Sequence, residues 1–237
     1  MRITRLVAGT VTAGLLGLTP IAVAAPSQAT DNLTTTTTAT PSETALAYGD
    51  EINVTIEVVG SDGSSVIKGT STLYAMEAGS TTWVPVATGT YAGSDIYPVK
   101  PQMNTVYKVV YSGYTATTTY EDNYAASESA TFTVGVARNV TIGKAKAKLT
   151  IKGKVKPDYK RQKVKIQIKK GKSYKKYKTI KTNRKSQFQV RLPAPRRGNK
   201  LYFKITVPGS SKFLSYSEVW YTYSYRPNMT PRAVAKN

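Results

Sequence analysis

Between Lys148 and Val207 the chain places an apolar residue at every second position. Leu149, Ile151 and Val155 come first, then Val164, Ile166 and Ile168, then Phe188, Val190 and Leu192, then Leu201, Phe203, Ile205 and Val207. A two-residue period belongs to a strand with one buried face. The alternate positions are mostly basic: Lys148, Lys152, Lys154, Lys163, Lys165, Lys169, Arg191 and Lys204. The stretch therefore reads as a β-sandwich with an ordinary apolar core and a positively charged outer surface.

The preceding half carries the same alternation less strictly. Ile52, Val54, Ile56 and Val58 alternate with Asn53, Thr55 and Glu57, and Gly60-Ser61-Asp62-Gly63 closes the run as a turn. Further strands are expected at 70–76, 83–87, 96–99, 106–111 and 130–134. Pro85 marks the third run as an edge or bulged strand, and 112–127 reads as a long Thr- and Tyr-rich loop. About seven short strands at this spacing suggest an immunoglobulin-like sandwich. The second half echoes the first: 73–88 resembles 163–179, Val106–Val110 resembles Leu201–Ile205, and Ser127-Glu128 resembles Ser217-Glu218. A period of about 90 residues is a whole-domain repeat and not a solenoid. The expected fold is all-β, with two tandem sandwiches at 44–136 and 144–223 split at Gly135–Gly143.

Residues 1–29 have the parts of a secretory signal. Arg2 and Arg5 precede the apolar run Leu6–Leu18, and Ser27-Gln28-Ala29 fits a small-x-small cleavage site. The run is too short for a membrane span of about 20 residues. Residues 30–43, with Thr34–Thr38, read as a Thr-rich polar linker. Residues 224–237 read as a disordered basic tail, and no Leu-Pro-x-Thr-Gly sorting motif appears. The expected location is secreted or extracellular, associated with the cell surface, with no integral membrane span after signal removal.

Charge divides the chain. Residues 31–136 hold three lysines against eleven acids, a formal −8, whereas residues 137–237 hold 29 Lys and Arg against Asp158 and Glu218, a formal +27. Such asymmetry points to a partner or a tether. The chain has no cysteine and no histidine. That excludes a disulfide framework, a thiol nucleophile, the Ser-His-Asp triad and every His-containing zinc site. Paired-carboxylate catalysis needs two acids converging across a cleft, and Asp95, Glu121 and Asp122 read instead as solvated loop acids. The stretch 121–123 lacks the Asp-x-Asp spacing of a calcium loop. No enzyme activity, metal or cofactor is expected.

The lysines carry the functional expectation. Edge lysines that block strand pairing account for some of them, but +27 on about 100 residues opposes compaction by self-repulsion. The candidate polyanion-binding residues are Lys152, Lys154, Lys163, Lys165, Lys169, Lys175, Lys176, Arg196 and Arg197. Tyr174 and Tyr177 interleave with lysines, as in non-specific single-strand binders, although tyrosine in such a hairpin commonly packs across strands. Lys outnumbers Arg, which suits diffuse attraction more than base readout. No base-reading helix or aromatic platform is recognisable.

The second half also resembles the Ig-like domains of secreted bacterial surface proteins. The resemblance rests on Val155-Lys156-Pro157, the run 163–170, Gly171-Lys172-Ser173-Tyr174, Thr179–Thr182, Leu201–Val207, and Pro208-Gly209 with Ser215–Ser217. It covers 144–223 well and 44–136 loosely, and implies a sandwich used as a spacer or adhesion module. The expected partners are anionic cell-envelope polymers or other polyanions. The alternatives are nucleic acid outside the cell, and self-association of acidic on basic domains.

Overall fold

The structure is a computed structural model and describes residues 30–147, 149–195, 200–223 and 232–236. The signal-like leader 1–29, Arg196 and Arg197, and 224–231 of the tail lie outside the described residues. Every regular element described is a strand, so the fold is all-β.

The first half contributes β1 (Asn32–Leu33), β2 (Thr35–Pro41), β3 (Ala45–Ala47), β4 (Ile52–Gly60), β5 (Ser71–Glu77), β6 (Val84–Thr88), β7 (Ile96–Val99), β8 (Thr105–Tyr111), β9 (Asn123–Tyr124), β10 (Ser127–Glu128) and β11 (Phe132–Ala137). One sheet runs β2-β4-β7, and the other runs β3-β11-β8-β5-β6 with β10 also on β8. Alternation positions the core. Along β4, Ile52, Val54, Ile56 and Val58 are buried while Thr55 and Glu57 are exposed. Those residues join Leu73, Val109, Tyr111 and Val134 of the second sheet in one buried cluster. The Tyr111 ring is wholly buried, and its hydroxyl donates to the Lys68 carbonyl at 2.8 Å. As the Pro85 argument requires, β6 is an outer strand, and its pairing with β5 is bulged at Leu73/Tyr74.

The second half contributes β12 (Asn139–Lys144), β13 (Thr150–Lys156), β14 (Lys163–Lys170), β15 (Ser173–Lys181), β16 (Gln187–Arg191), β17 (Lys200–Val207), β18 (Tyr216–Tyr223) and β19 (Arg232–Lys236). The sheets run β12-β13-β16 and β15-β14-β17-β18-β19. Ile151, Val155, Phe188 and Val190 from the first meet Val164, Ile166, Phe203 and Ile205 from the second in a separate buried cluster. Strand order in the two halves corresponds: β2-β4-β7 matches β12-β13-β16, and β6-β5-β8-β11 matches β15-β14-β17-β18.

Three expected boundaries are corrected. The Thr-rich stretch expected as a linker is β2, paired with β4 from Thr35↔Gly60 to Pro41↔Val54. Its second-layer contacts explain why it is ordered: Thr35 Oγ1 and Thr37 Oγ1 each lie 2.7 Å from Ser127 Oγ. The tail expected as disordered includes β19, which pairs with β18. The boundary expected at 135–143 is no loop. Arg138 alone separates β11 from β12, and β12 already belongs to the second half's sheet, so that half starts at Asn139 and not at residue 144.

The halves are joined by a hydrogen-bonded seam. The Asn104 N–H donates to the Lys212 carbonyl at 2.9 Å, and the Leu214 N–H donates to the Val136 carbonyl at 2.8 Å. Asn104 Nδ2 donates to the Ser211 carbonyl at 3.0 Å, and its Oδ1 accepts from the Val136 N–H at 2.9 Å. Gly135 lets Leu214 lie against the backbone, since a Cβ there would stand 2.6 Å from Leu214 Cδ1.

Candidate polyanion-binding face

Because Ile166 and Ile168 point into the core, Lys165, Gln167 and Lys169 point the opposite way. Antiparallel register sets their neighbours. Lys165 pairs with Thr206 of β17 and Thr179 of β15, and Gln167 pairs with Lys204 and Lys176. Lys169 pairs with Tyr174, and its Nζ lies 5.3 Å from the Tyr202 ring centroid. Tyr202 pairs in turn with Tyr221 of β18, the rings 5.8 Å apart and tilted by 49°. One row across the sheet therefore reads Tyr221, Tyr202, Lys169, Tyr174. The next holds Lys204, Gln167 and Lys176.

Each ring in the first row also meets a cation. Lys200 Nζ sits 4.5 Å from the Tyr221 centroid, and Lys204 Nζ sits 5.0 Å from that of Tyr174. Cations over ring faces are attracted by the aromatic quadrupole, by about 0.5–1 kcal/mol at exposed sites. These contacts hold the ammonium groups near the rings on an open surface.

The candidate residues do not form one site. Lys165, Lys169 and Lys176 lie on this face. Lys175 pairs with Ile168 and so projects from the other side of β15, where it is exposed. Lys152 and Lys154 belong to β13, in the sheet across the core, and point outward there. They line a groove of 720 Å³ with Thr141, Gln187 and Gln189. Lys163 starts β14 and lines a different cleft at the junction of the halves. Arg196 and Arg197 fall outside the described residues.

Of the tyrosines read as interleaving, Tyr174 is on the face. Tyr177 packs against the core and donates its hydroxyl to the Arg191 carbonyl at 3.0 Å. The expectation of no aromatic platform is overturned by Tyr202 and Tyr221. Tyr202 was detectable, because it shares parity with Lys204 and opposes the parity of the buried Phe203.

The two halves treat charge differently. All three lysines of 31–136 are in ion pairs within their own half: Lys68 with Glu121 at 2.7 Å, Lys100 with Glu51 at 2.7 Å and Lys108 with Glu128 at 2.8 Å. Beyond 137 two acids face 29 cations, and Asp158 is engaged by Lys160 at 2.5 Å.

The loop acids have structural partners. Asp95 accepts from the Ile56 N–H at 3.3 Å, and Asp122 accepts from the Asp31 N–H at 3.0 Å. Glu121 accepts from Lys68 and from the Tyr114 hydroxyl, each at 2.7 Å. The Lys68 hydrogen bond first, then those from Tyr114 and Thr117, bring its carboxyl down to about 2. Among the described residues no group of three or more acids is placed to hold a metal ion.

No protein-family model matches the chain, and no curated protein sequence matches it. Among solved structures, the human OSCAR ligand-binding domain is similar at 9% identity, over 80% of this chain and 98% of that one, with a TM-score of 0.28.

Proposed function

We propose that the chain is a secreted, non-catalytic protein of two tandem Ig-like sandwiches whose basic second half binds anionic polymers of the cell envelope or extracellular space. The observation that carries this is the outer face of β15-β14-β17-β18, where Lys169, Lys200 and Lys204 stand against three tyrosines and Lys165 and Lys176 share the face. The matching strand order of the two halves supports the tandem arrangement. Lysine suits this role, since a mobile, strongly hydrated point charge attracts phosphate or carboxylate arrays without demanding one geometry. The acidic half, with its lysines already paired, serves as spacer.

A second reading is favoured by the row Tyr221-Tyr202-Lys169-Tyr174. Rings beside cations are the means by which sequence-tolerant proteins hold single-stranded nucleic acid, each stacked base contributing about 1–3 kcal/mol. Competition between a phosphodiester wall polymer, double-stranded DNA and single-stranded DNA of matched charge separates the two readings. Equal competition supports charge-driven binding. A strong preference for the single strand that vanishes in Tyr202→Ala supports stacking, and failure of all three to bind overturns both.

A further inference from the structure

Arg138, the one residue between β11 and β12, is 8% exposed although it carries a charge. Its guanidinium is held between two rings, 4.7 Å from the Tyr159 centroid and 4.0 Å from that of Phe213. Its Nε and Nη1 are buried without a hydrogen-bond partner, and no carboxylate pairs with it among the described residues. Burial draws the guanidinium's pKa down from its ordinary value. A buried charge is costly unless it is paired, and two ring faces supply only part of the compensation. A negative charge beside the guanidinium would supply the rest.

Arg138 lines a cleft of 840 Å³ at the junction of the halves, together with Lys160, Arg161, Lys163, Lys181 and Asp158. Asp158 is already bound by Lys160 at 2.5 Å. Lys163 and Lys181 are direct cross-strand partners, and like charges facing each other across strands repel. Nothing in the sheet requires that pair. An anion between them turns the repulsion into a clamp.

One wall is fixed in advance. The Tyr159 hydroxyl donates to the Lys163 carbonyl at 2.9 Å, its N–H donates to Ser186 Oγ at 2.7 Å, and its carbonyl accepts from the Thr182 hydroxyl. The opposite wall is the Pro208–Ser210 turn, closed by reciprocal backbone bonds between Ser210 and Phe213. Side chains locked by such hydrogen bonds keep a site's geometry before the ligand arrives.

We propose that this cleft binds a phosphoryl group, with Arg138 as its floor and Lys163 and Lys181 as its rim. The group's multiple charge and tetrahedral oxygens suit cations that approach from several sides, where a planar monovalent carboxylate satisfies fewer. The cleft falls within the range of about 300–1,000 Å³ typical of small-molecule sites, so the phosphoryl group enters alone or as the end of a larger molecule. The site is separate from the Tyr-Lys face and does not depend on the polymer-binding reading.

The test is titration of the intact chain with inorganic pyrophosphate, and in parallel with glycerol phosphate, at about 150 mM salt, where the Debye length is about 8 Å and diffuse attraction is screened. The readout is the Arg138 Nε–H resonance, assigned by its loss in Arg138→Lys. The expected result is a saturable shift for at least one probe, with affinity reduced at least tenfold in Lys163→Gln/Lys181→Gln. The charge-matched control Lys170→Gln/Lys172→Gln, at the far end of β14, leaves it unchanged. Tighter pyrophosphate binding identifies a free anion as the ligand, and tighter glycerol phosphate binding identifies an esterified one. A shift that never saturates, that is absent for both probes, or that is equally weakened by both double variants overturns the proposal. Because the rim variants are surface substitutions, the test stands even if Arg138→Lys loosens the seam.

Discussion

Lys165 and Ile166 are adjacent in the chain and opposite in the fold, one exposed and the other wholly buried. Ile166→Lys places an unpaired charge among Val164, Phe203 and Ile205 and is expected to cost more than about 4 kcal/mol. Lys165→Glu is expected to change stability by less than about 0.5 kcal/mol. Denaturant unfolding of both variants checks the register, and the reverse ranking means that it is wrong by one residue. Glu121 supplies a pH-dependent counterpart. Its folded pKa, about 2, lies below the ordinary 4.5, so its contribution is fully present above pH 4.5 and is lost as pH falls towards 2. Acid titration of the native chain is therefore expected to release the Tyr114 ring only near pH 2, where the folded carboxyl protonates, and Glu121→Ala to leave it released at neutral pH. Parity alone made Lys165, Lys169 and Tyr202 readable. Arg138 was unreadable for the opposite reason: in a half with 29 basic residues nothing local marks one that is buried, and the rings that hold it come from distant loops.

At the scale of elements, the strands with one apolar face were legible because one side must be buried. β2 was not. Its residues are Thr35-Thr36-Thr37-Thr38-Ala39-Thr40-Pro41, which have no apolar period, and a run of threonine reads as polar linker. Threonine is nevertheless β-branched and suits a pleated surface, and β2 is held by its ladder to β4 and by the Ser127 hydroxyl rather than by apolar burial. The correspondence between the halves is visible at their centres and lost at their ends, so the sequence pattern starts the second half at residue 144, the end of β12, whereas the sheet starts it at Asn139. Within β13, Gly153 is an element-level constraint that alternation does not reveal. It pairs with Phe188 of β16, and a Cβ on it would stand 2.3 Å from Phe188 Cζ and 2.9 Å from Ile142 Cδ1. The ring lies where a side chain would be, a close approach that strand glycines permit. Gly153→Val is expected to displace Phe188 and destabilise the second half by about 1–3 kcal/mol, measured as a lowered thermal midpoint. Gly143→Ala, whose nearest contact is 3.6 Å, is the milder comparison.

Across the whole molecule, one half neutralises its lysines internally and the other leaves its excess exposed. The seam at Asn104, Val136 and Leu214 ties the two together without an intervening linker. The sequence already showed where positive charge concentrates. It did not show that the candidate lysines divide among two opposite outer faces and a junction cleft, because that division follows from strand order and not from composition. We propose that polymer binding is driven by charge on the face that carries Lys165, Lys169 and Lys204. The most direct test is the salt dependence of polyphosphate binding by the intact chain and by Lys165→Gln/Lys169→Gln/Lys204→Gln. Neutralising about five phosphates predicts that log affinity falls with log salt at a slope of about −4 between about 50 and 200 mM, flattening by roughly two to three units in the variant. An affinity indifferent to salt over that range, or a slope that the three substitutions leave unchanged, would contradict it.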